Sequence, residues 1–489
     1  MPLVSRRTVL TAAGAGVGAL ALTGTGIWFG STFYPAPSGL DVGASGAPGT
    51  EPRMLRSSGG KLIVDLVAEH TSTTINGQHA HLMTYNGTSP GPTLVAKPGD
   101  VITVNFTNKL GEPTNLHMHG LHVSPAGHSD NVFIEVQNGE TLTYQYVLEA
   151  DHPTGPFWYH PHHHGMAADQ VFGGLYGALI IEEPTPVEVS QERVFIASDI
   201  TLNNNGDVAN QSMMNRMMGR EGETLLLNGQ ISPKYSGIAG SVERWRVVNS
   251  CTSRYLEITI LGGTAQALAF DSGKFAQPQT VSKFKLAPGN RADLLVSLGA
   301  MPATLAYTSV PHNDMKGAGV VTKTYANYPL ATVTPSGAPS TTAPPVTITQ
   351  NPGPNLRNAT VTAKRSFTLA MPAGMGAMGG MSGNFTINGV SFNPNVVNTT
   401  VSLGTVEEWT IFNTTTMDHP FHLHVWPMQV LTSGNLSYEG TQYRDVVNVP
   451  ANSQSTVRVH FDRFPGQAVY HCHILDHEDF GMMGIIEAK

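Results

Sequence analysis

Three Asn-Gly pairs, Asn86-Gly87, Asn228-Gly229 and Asn388-Gly389, are each followed by a Gly and, nine residues beyond that Gly, an Asn. The spaced partners are Gly99/Asn108, Gly240/Asn249 and Gly404/Asn413. Self-similarity of this kind means one folding unit repeated. Between the partners lie Val101-Ile102-Thr103-Val104-Asn105-Phe106, Val242-Glu243-Arg244-Trp245-Arg246-Val247 and Val406-Glu407-Glu408-Trp409-Thr410-Ile411. Short β-rich runs separated by Gly, Pro and Asn fit strands of a Greek-key sandwich, so the chain reads as all-β with one β-sandwich occurring three times. The copies are placed at 58–185, 190–330 and 358–489. Residues 331–357 form a linker, whose Pro/Ser/Thr-rich run from Pro335 to Pro354 is expected to be extended and exposed.

Composition agrees with that reading. Charged residues make up 13% of the 489 positions, against roughly 25% in an average soluble protein. Most of the polar surface must then be Ser, Thr, Asn and Gly, as in exported β proteins. A net charge of -8, with 27 scattered Lys and Arg, excludes the clustered cations that a nucleic-acid partner needs. Two cysteines, Cys251 and Cys472, supply no disulfide framework. The start, Ser5-Arg6-Arg7-Thr8-Val9-Leu10 and then a charge-free, Gly-rich stretch to Leu40, resembles a twin-arginine signal. Residues 1–44 are therefore expected to direct export to the periplasm or beyond, with cleavage near Ala44 or Ala47. Membrane attachment follows only if the segment stays uncleaved. Gly14-Ala15-Gly16-Val17-Gly18-Ala19 lacks the preceding strand of a dinucleotide fingerprint. Pro90 likewise prevents Gly87-Thr88-Ser89-Pro90-Gly91 from being a nucleophile elbow.

The repeat also locates the chemistry. Nine residues after Asn108 stands His117-Met118-His119, and nine after Asn413 stands His422-Leu423-His424, whereas the middle copy has Ile258-Thr259-Ile260. Later in the outer copies, His160-Pro161-His162 and His471-Cys472-His473 correspond in the same way. With 20 histidines in the chain, chance gives roughly 0.8 His-x-His pairs. His79-Ala80-His81 is read as that background pair. On a strand, residues i and i+2 share a face, so four pairs at equivalent places present eight imidazoles to one site. Neutral imidazoles in that number suit a copper cluster. The same alternation turns Cys472 to the opposite face. There His419, His477 and Met482 complete the His₂Cys plus axial Met set of a blue copper electron-transfer centre.

These motifs resemble those of the multicopper oxidases, the laccase and cuprous-oxidase family of three cupredoxin domains. They stand as His117-Met118-His119-Gly120, Trp158-Tyr159-His160-Pro161-His162, His419-Pro420-Phe421-His422-Leu423-His424 and His471-Cys472-His473-Ile474-Leu475-Asp476-His477, ending in Gly481-Met482. The resemblance implies four copper ions. His117 and His422 would hold type 2. His119, His160, His162, His424, His471 and His473 would hold the type 3 pair, and His419, Cys472, His477 and Met482 type 1. The family's spacing selects Met482 over Met483. His122, His163 and His164 are left as neighbours of the ligands.

The resemblance further implies four one-electron oxidations of a small-molecule reductant coupled to reduction of dioxygen to two waters. Asp130 and Glu478 resemble the carboxylates that deliver protons near such a cluster. Met213, Met214, Met217 and Met218, with Met371, Met375, Met378 and Met381, offer soft thioethers suited to Cu(I). That favours oxidation of cuprous ion for copper tolerance. The first set also fits the apolar face of a short helix. A laccase-type phenol or aryl-amine oxidase and a non-enzymatic envelope scaffold are the alternatives, and the twelve intact ligands argue against the scaffold. Cys251 reads as a small buried hydrophobe.

Overall fold

The computed structural model describes residues 46–75, 77–310, 324–337, 348, 350–371 and 385–489. The signal-like segment, Met375, Met378, Met381 and much of the linker lie outside the described residues. Six sheets fall into three successive pairs along the chain. The first pair contains Lys61–Ile75, Val101–Lys109 and Thr141–Val147 in one sheet, and His117–His119, Gly155–His160 and Gly177–Ile181 in the other. The second contains Gln191–Ile200, Val242–Asn249 and Arg291–Leu298 opposite Leu256–Leu261 and Ala303–Ser309. The third contains Val361–Ala370, Thr405–Asn413 and Ser453–Phe461 opposite His419–Leu423, Gly466–Cys472 and Met483–Ala488. Each pair encloses its own apolar core, built around Phe106 and Tyr159, Trp245 and Leu294, and Trp409 and Phe421 in turn.

The repeated residues make the same bonds each time. Asn86, Asn228 and Asn388 have φ of 52°, 52° and 55°, and the glycines after them 75°, 74° and 75°. This left-handed pair belongs to the tight turns that Asn-Gly favours. Their side chains bridge the backbone of a neighbouring strand: Asn86 Nδ2 donates to Asp65 O and its Oδ1 accepts from Val67 N. Asn228 does so at Val194 and Ile196, and Asn388 at Ser366 and Thr368. The second asparagine of each unit is a buried tie between loops. Asn108 Nδ2 donates to Glu112 O and Val136 O, Asn249 Nδ2 to Arg254 O and Leu286 O, and Asn413 Nδ2 to Met417 O and Val449 O. Buried carbonyls need such partners, and a short polar side chain supplies them without disturbing the sheet.

Period-two burial holds where one face meets solvent. Val101–Lys109 alternates between half-buried and buried residues up to Asn108 and ends on exposed Lys109. The strand Val242–Asn249 of the middle copy is buried throughout. Its charges are paired: Arg244 bonds Asp293 at 2.6 Å and Glu183 at 2.7 Å, and Glu243 bonds Arg193 at 2.7 Å. The strand Tyr328–Ser336 continues past the expected end of the second copy at 330. Among the described residues it pairs beyond Val333 only with Lys234–Ile238, so Pro335 has an open side on which its missing N–H costs nothing.

Among the described residues three short α-helices connect the copies: α1 (Ala167–Gly173), α2 (Met213–Met217) and α3 (Leu475–Asp479). Asp479 accepts bonds from the N–H groups of Gly165, Ala167 and Ala168 at the start of α1. Asp476 on α3 takes Arg216 of α2 at 2.9 Å and Arg220 at 2.5 Å, and Arg220 also reaches Asp169 on α1. One buried carboxylate thus pins the middle copy to the third. Among the described residues no helix is long and apolar enough to cross a membrane.

Replacing Asn413 with Ala removes the bonds of its Nδ2 to Met417 O and Val449 O and of its Oδ1 from Thr415 N, and is expected to destabilise the third copy by about 2 kcal/mol or more. The fall in melting temperature, matched by Asn108→Ala and Asn249→Ala, checks this; an unchanged transition would refute the tie.

Candidate metal centre

Pairing in the third copy sets the direction of every donor there. Phe421 lies opposite Cys472 and His422 opposite His471, in antiparallel register. His471 and His473 therefore face one side and Cys472 the other. On the sulfur side, Cys472 Sγ lies 3.3 Å from His419 Nδ1 and 3.7 Å from His477 Nδ1, and the two nitrogens are 3.3 Å apart. The far nitrogens are spoken for: His419 Nε2 bonds Thr415 Oγ1 at 2.8 Å, and His477 Nε2 bonds Met217 O at 3.1 Å. A ring whose Nε2–H is donated presents the Nδ1 lone pair, so both rings aim acceptors at the thiol. Burial raises the Cys472 pKa strongly. Only a cation among these three donors would favour the thiolate.

Met482 shares the core cluster of Cys472, and its backbone bonds both His477 O and Cys472 N. Met483 packs into a separate cluster with Val469, Phe133 and Phe392.

On the imidazole side, the four His-x-His pairs converge. His117 lies opposite His160 on adjacent strands, and Trp158 stacks on His160 with centroids 4.1 Å apart. His162 Nε2 and His424 Nε2 each lie 3.1 Å from His471 Nε2, and His473 Nε2 lies 3.2 Å from His119 Nδ1. Among the described residues three all-imidazole triads are close enough to share an ion, His117, His422 and His424; His117, His119 and His160; and His162, His424 and His471; a fourth group joins His119 and His422 to Asp445. All eight rings are buried, which pushes their pKa values down, that of His160 to about 4. Their charged forms also repel one another, so the rings stay neutral at physiological pH.

The nitrogens His117 Nε2, His160 Nε2, His422 Nε2, His424 Nδ1 and His473 Nδ1 have no hydrogen-bond partner among the described residues. Each such buried group costs about 1–3 kcal/mol. Neutral nitrogen donors facing one another in a dry site fit copper ions.

Carboxylates back the rings. Asp130 Oδ1 lies 2.9 Å from His117 Nδ1 and accepts from Met118 N; burial lifts its pKa to about 7. Glu478 Oε2 is 3.1 Å from His471 Nδ1 and Oε1 is 3.4 Å from His162 Nδ1, and burial raises Glu478 well above the usual carboxylate range. Asp445, which the motifs did not reveal, places Oδ1 3.0 Å from His119 Nε2 and its backbone O 2.7 Å from His422 Nδ1. The only sequence signal for it was a lone acid entering the apolar run Val446-Val447.

The leftover histidines have other contacts. His122 ties Val425 O to Asp462, His163 lies 3.3 Å from Glu135, and exposed His164 packs on Phe392. His79 and His81 are exposed, and His81 bonds Ser72. Cys251 is buried beside Ala197 O, as expected of a small core residue.

A His₂Cys site and an eight-imidazole cluster joined by one tripeptide, carried on three β-sandwiches, define a copper protein of cupredoxin type. The multicopper oxidase family models match residues 67–186 and 366–489. The multicopper oxidase mco of Staphylococcus haemolyticus is 28% identical over 424 residues, covering 82% of this chain and 83% of its own. The laccase of Bacillus subtilis is 26% identical, covering 82% and 88%. A solved multicopper oxidase from Campylobacter jejuni, described as a metallo-oxidase, superposes with a TM-score of 0.80 at 28% identity, over 91% of this chain and 96% of that one. The chain belongs to the multicopper oxidase family and is a copper-dependent oxidase with dioxygen as acceptor.

Copper loading should raise the melting temperature above that of the chelated protein, because it satisfies the orphaned nitrogens. Equal transitions by calorimetry would contradict the fit.

Proposed function

We propose that this chain, exported by the twin-arginine route, oxidises Cu(I) in the cell envelope for copper tolerance and reduces dioxygen to two waters. In that assignment His419, Cys472, His477 and Met482 hold the type 1 ion. His117 and His422 hold type 2, and His119, His160, His162, His424, His471 and His473 hold the type 3 pair. When bound, the four ions supply one-electron transfer and four-electron reduction of dioxygen. The chain does the rest. Cys472 connects through its own backbone to His471 and His473, so an electron entering at the sulfur has covalent paths of a few bonds to the cluster.

The observation that carries the Cu(I) reading is the seat of α2. Met217 O receives the Nε2–H of His477, and Met217 and Met218 are buried in the core that holds Cys472. Met213 and Met214 on the same helix are 51% and 37% exposed. Thioethers that favour Cu(I) thus stand at the surface on the element that touches the electron-accepting ring. Met371 packs on this core as well. His477 itself is fully buried, stacked on Phe385 at 4.3 Å. Among the described residues no edge of this ring is exposed to a planar phenol.

Asp130 and Glu478 are placed to hold protons beside the cluster, at the carboxylate oxygens facing His117 and His471. Burial disfavours their ionised forms, so each retains a proton more readily than an exposed carboxylate.

The double variant Met213→Leu/Met214→Leu should lose about tenfold or more in kcat/KM for Cu(I) and little for an aryl amine. Unchanged kinetics with Cu(I) would remove the reading. Glu478→Gln should lower kcat about 10²-fold, with anaerobic reduction of the blue centre by the donor unaffected. Stopped-flow measurement separates the two steps, and an unchanged kcat would dismiss Glu478 from proton delivery.

A further inference from the structure

The middle copy carries none of the proposed ligands, yet its turn 287–290 and the first residue of the strand Arg291–Leu298 reach the cluster. Arg291 is fully buried. Its Nη1 and Nη2 donate to Asp445 Oδ1 and Oδ2 at 2.6 and 2.7 Å, a two-pronged bond that fixes the plane of the carboxylate. Nε donates to Pro156 O of the first copy, Nη1 to Gly289 O, and the guanidinium lies over Phe157 at 5.5 Å. Its own N–H donates to Asp271 Oδ1. No rotation is left to this side chain.

What Arg291 holds is the group that aims two rings. Asp445 Oδ1 faces His119 Nε2, and Asp445 O faces His422 Nδ1. Two glycines make room for the arrangement. A Cβ on Gly120, in the first histidine motif, would lie 2.7 Å from Arg291 Nη2 and 2.8 Å from Asp445 Oδ2. A Cβ on Gly289 would lie 3.1 Å from both His119 Cε1 and His473 Nε2. Both have φ of +86°, where an L side chain is strained in any case. The turn of the middle copy therefore rests directly on rings from the first and third.

We propose that Arg291 is a positioning residue for the trinuclear site. By clamping Asp445 it fixes the tautomer and orientation of His119 and His422, and the copper-free copy so sets the geometry at the junction of the other two. This rests on the assignment of His119 and His422 as ligands. Outer partners of metal-bound histidines are commonly worth 10- to 100-fold in metal affinity. Lys in place of Arg291 keeps the charge and loses the fork.

The test uses the full chain bearing Arg291→Lys, and separately the double variant Arg291→Met/Asp445→Asn, which removes the clamped pair together, while Asp271, 3.4 Å from Arg291 Nη1, keeps its bonds from Asn290 Nδ2 and the N–H of residue 291. Three quantities are measured after copper loading: blue absorbance per chain, the EPR signal of the type 2 ion with total copper, and the melting temperature of the copper-free protein. The inference predicts blue absorbance within twofold of the parent and a melting transition retained in the double variant. It also predicts affinity at the type 2 position lowered about tenfold or more, with altered hyperfine splitting in Arg291→Lys. A full copper complement with an unchanged type 2 signal in both variants would overturn it. So would parallel loss of blue absorbance, cluster copper and apo-protein stability in both, since that marks a merely structural arginine. If the parent chain itself bound no copper beyond the blue ion, the ligand assignment would fail rather than the clamp.

Discussion

Alternation of side chains along one strand governs the whole arrangement. His471 and His473 face the cluster only because Cys472 faces away, and the register with Phe421 and His422 locks that choice. A slip of one residue would send the sulfur to the imidazole side and both rings to the core. The core around Trp409, Phe421 and Ile411 makes such a slip costly, since it would expose the apolar face of each strand. Two centres with opposite requirements, one a soft sulfur site and the other a nitrogen cluster, are therefore set a few bonds apart by pleat geometry.

The cluster itself is an interface. His117, His119, His160 and His162 come from the first copy and His422, His424, His471 and His473 from the third, so neither copy alone holds a complete set of donors. Burying eight imidazoles without charging them requires that water be excluded, and most of the rings are oriented by a partner outside the cluster. Asp130, Glu478, Asp445 and the carbonyls of Pro161 and Cys472 are those partners. The helices α1, α2 and α3 and the Arg216, Arg220 and Asp476 bonds keep the copies in place around it. α2 serves both purposes: it docks the middle copy and covers His477.

Much of this was legible in the sequence because strands report their faces locally. The His-x-His pairs, the lone cysteine between two histidines and the repeated Asn positions each follow from a period of two or from turn chemistry, and the structure brings all eight rings and the sulfur site together. Arg291, Asp445 and Gly289 follow from neither. They meet across 154 residues of chain in one case, through a contact between copies that no local pattern encodes. The buried charges of Val242–Asn249 were hidden for a related reason: Arg244 looks like a surface residue until Glu183 of the first copy meets it, and Glu243 until Arg193 and Trp245 of its own copy enclose it. Pro335 shows the converse, a residue that reads as a breaker but is tolerated beside an open strand edge.

Oxygen consumption with Cu(I) as the sole donor tests the account most directly, because it joins the surface thioethers, the sulfur path and the imidazole cluster in one number. The account predicts that Cu(I) is oxidised and dioxygen consumed in the ratio of four electrons to one molecule, with no hydrogen peroxide accumulating. Oxidation that releases peroxide, or a chain that turns over phenols while leaving Cu(I) at its background rate, would contradict it.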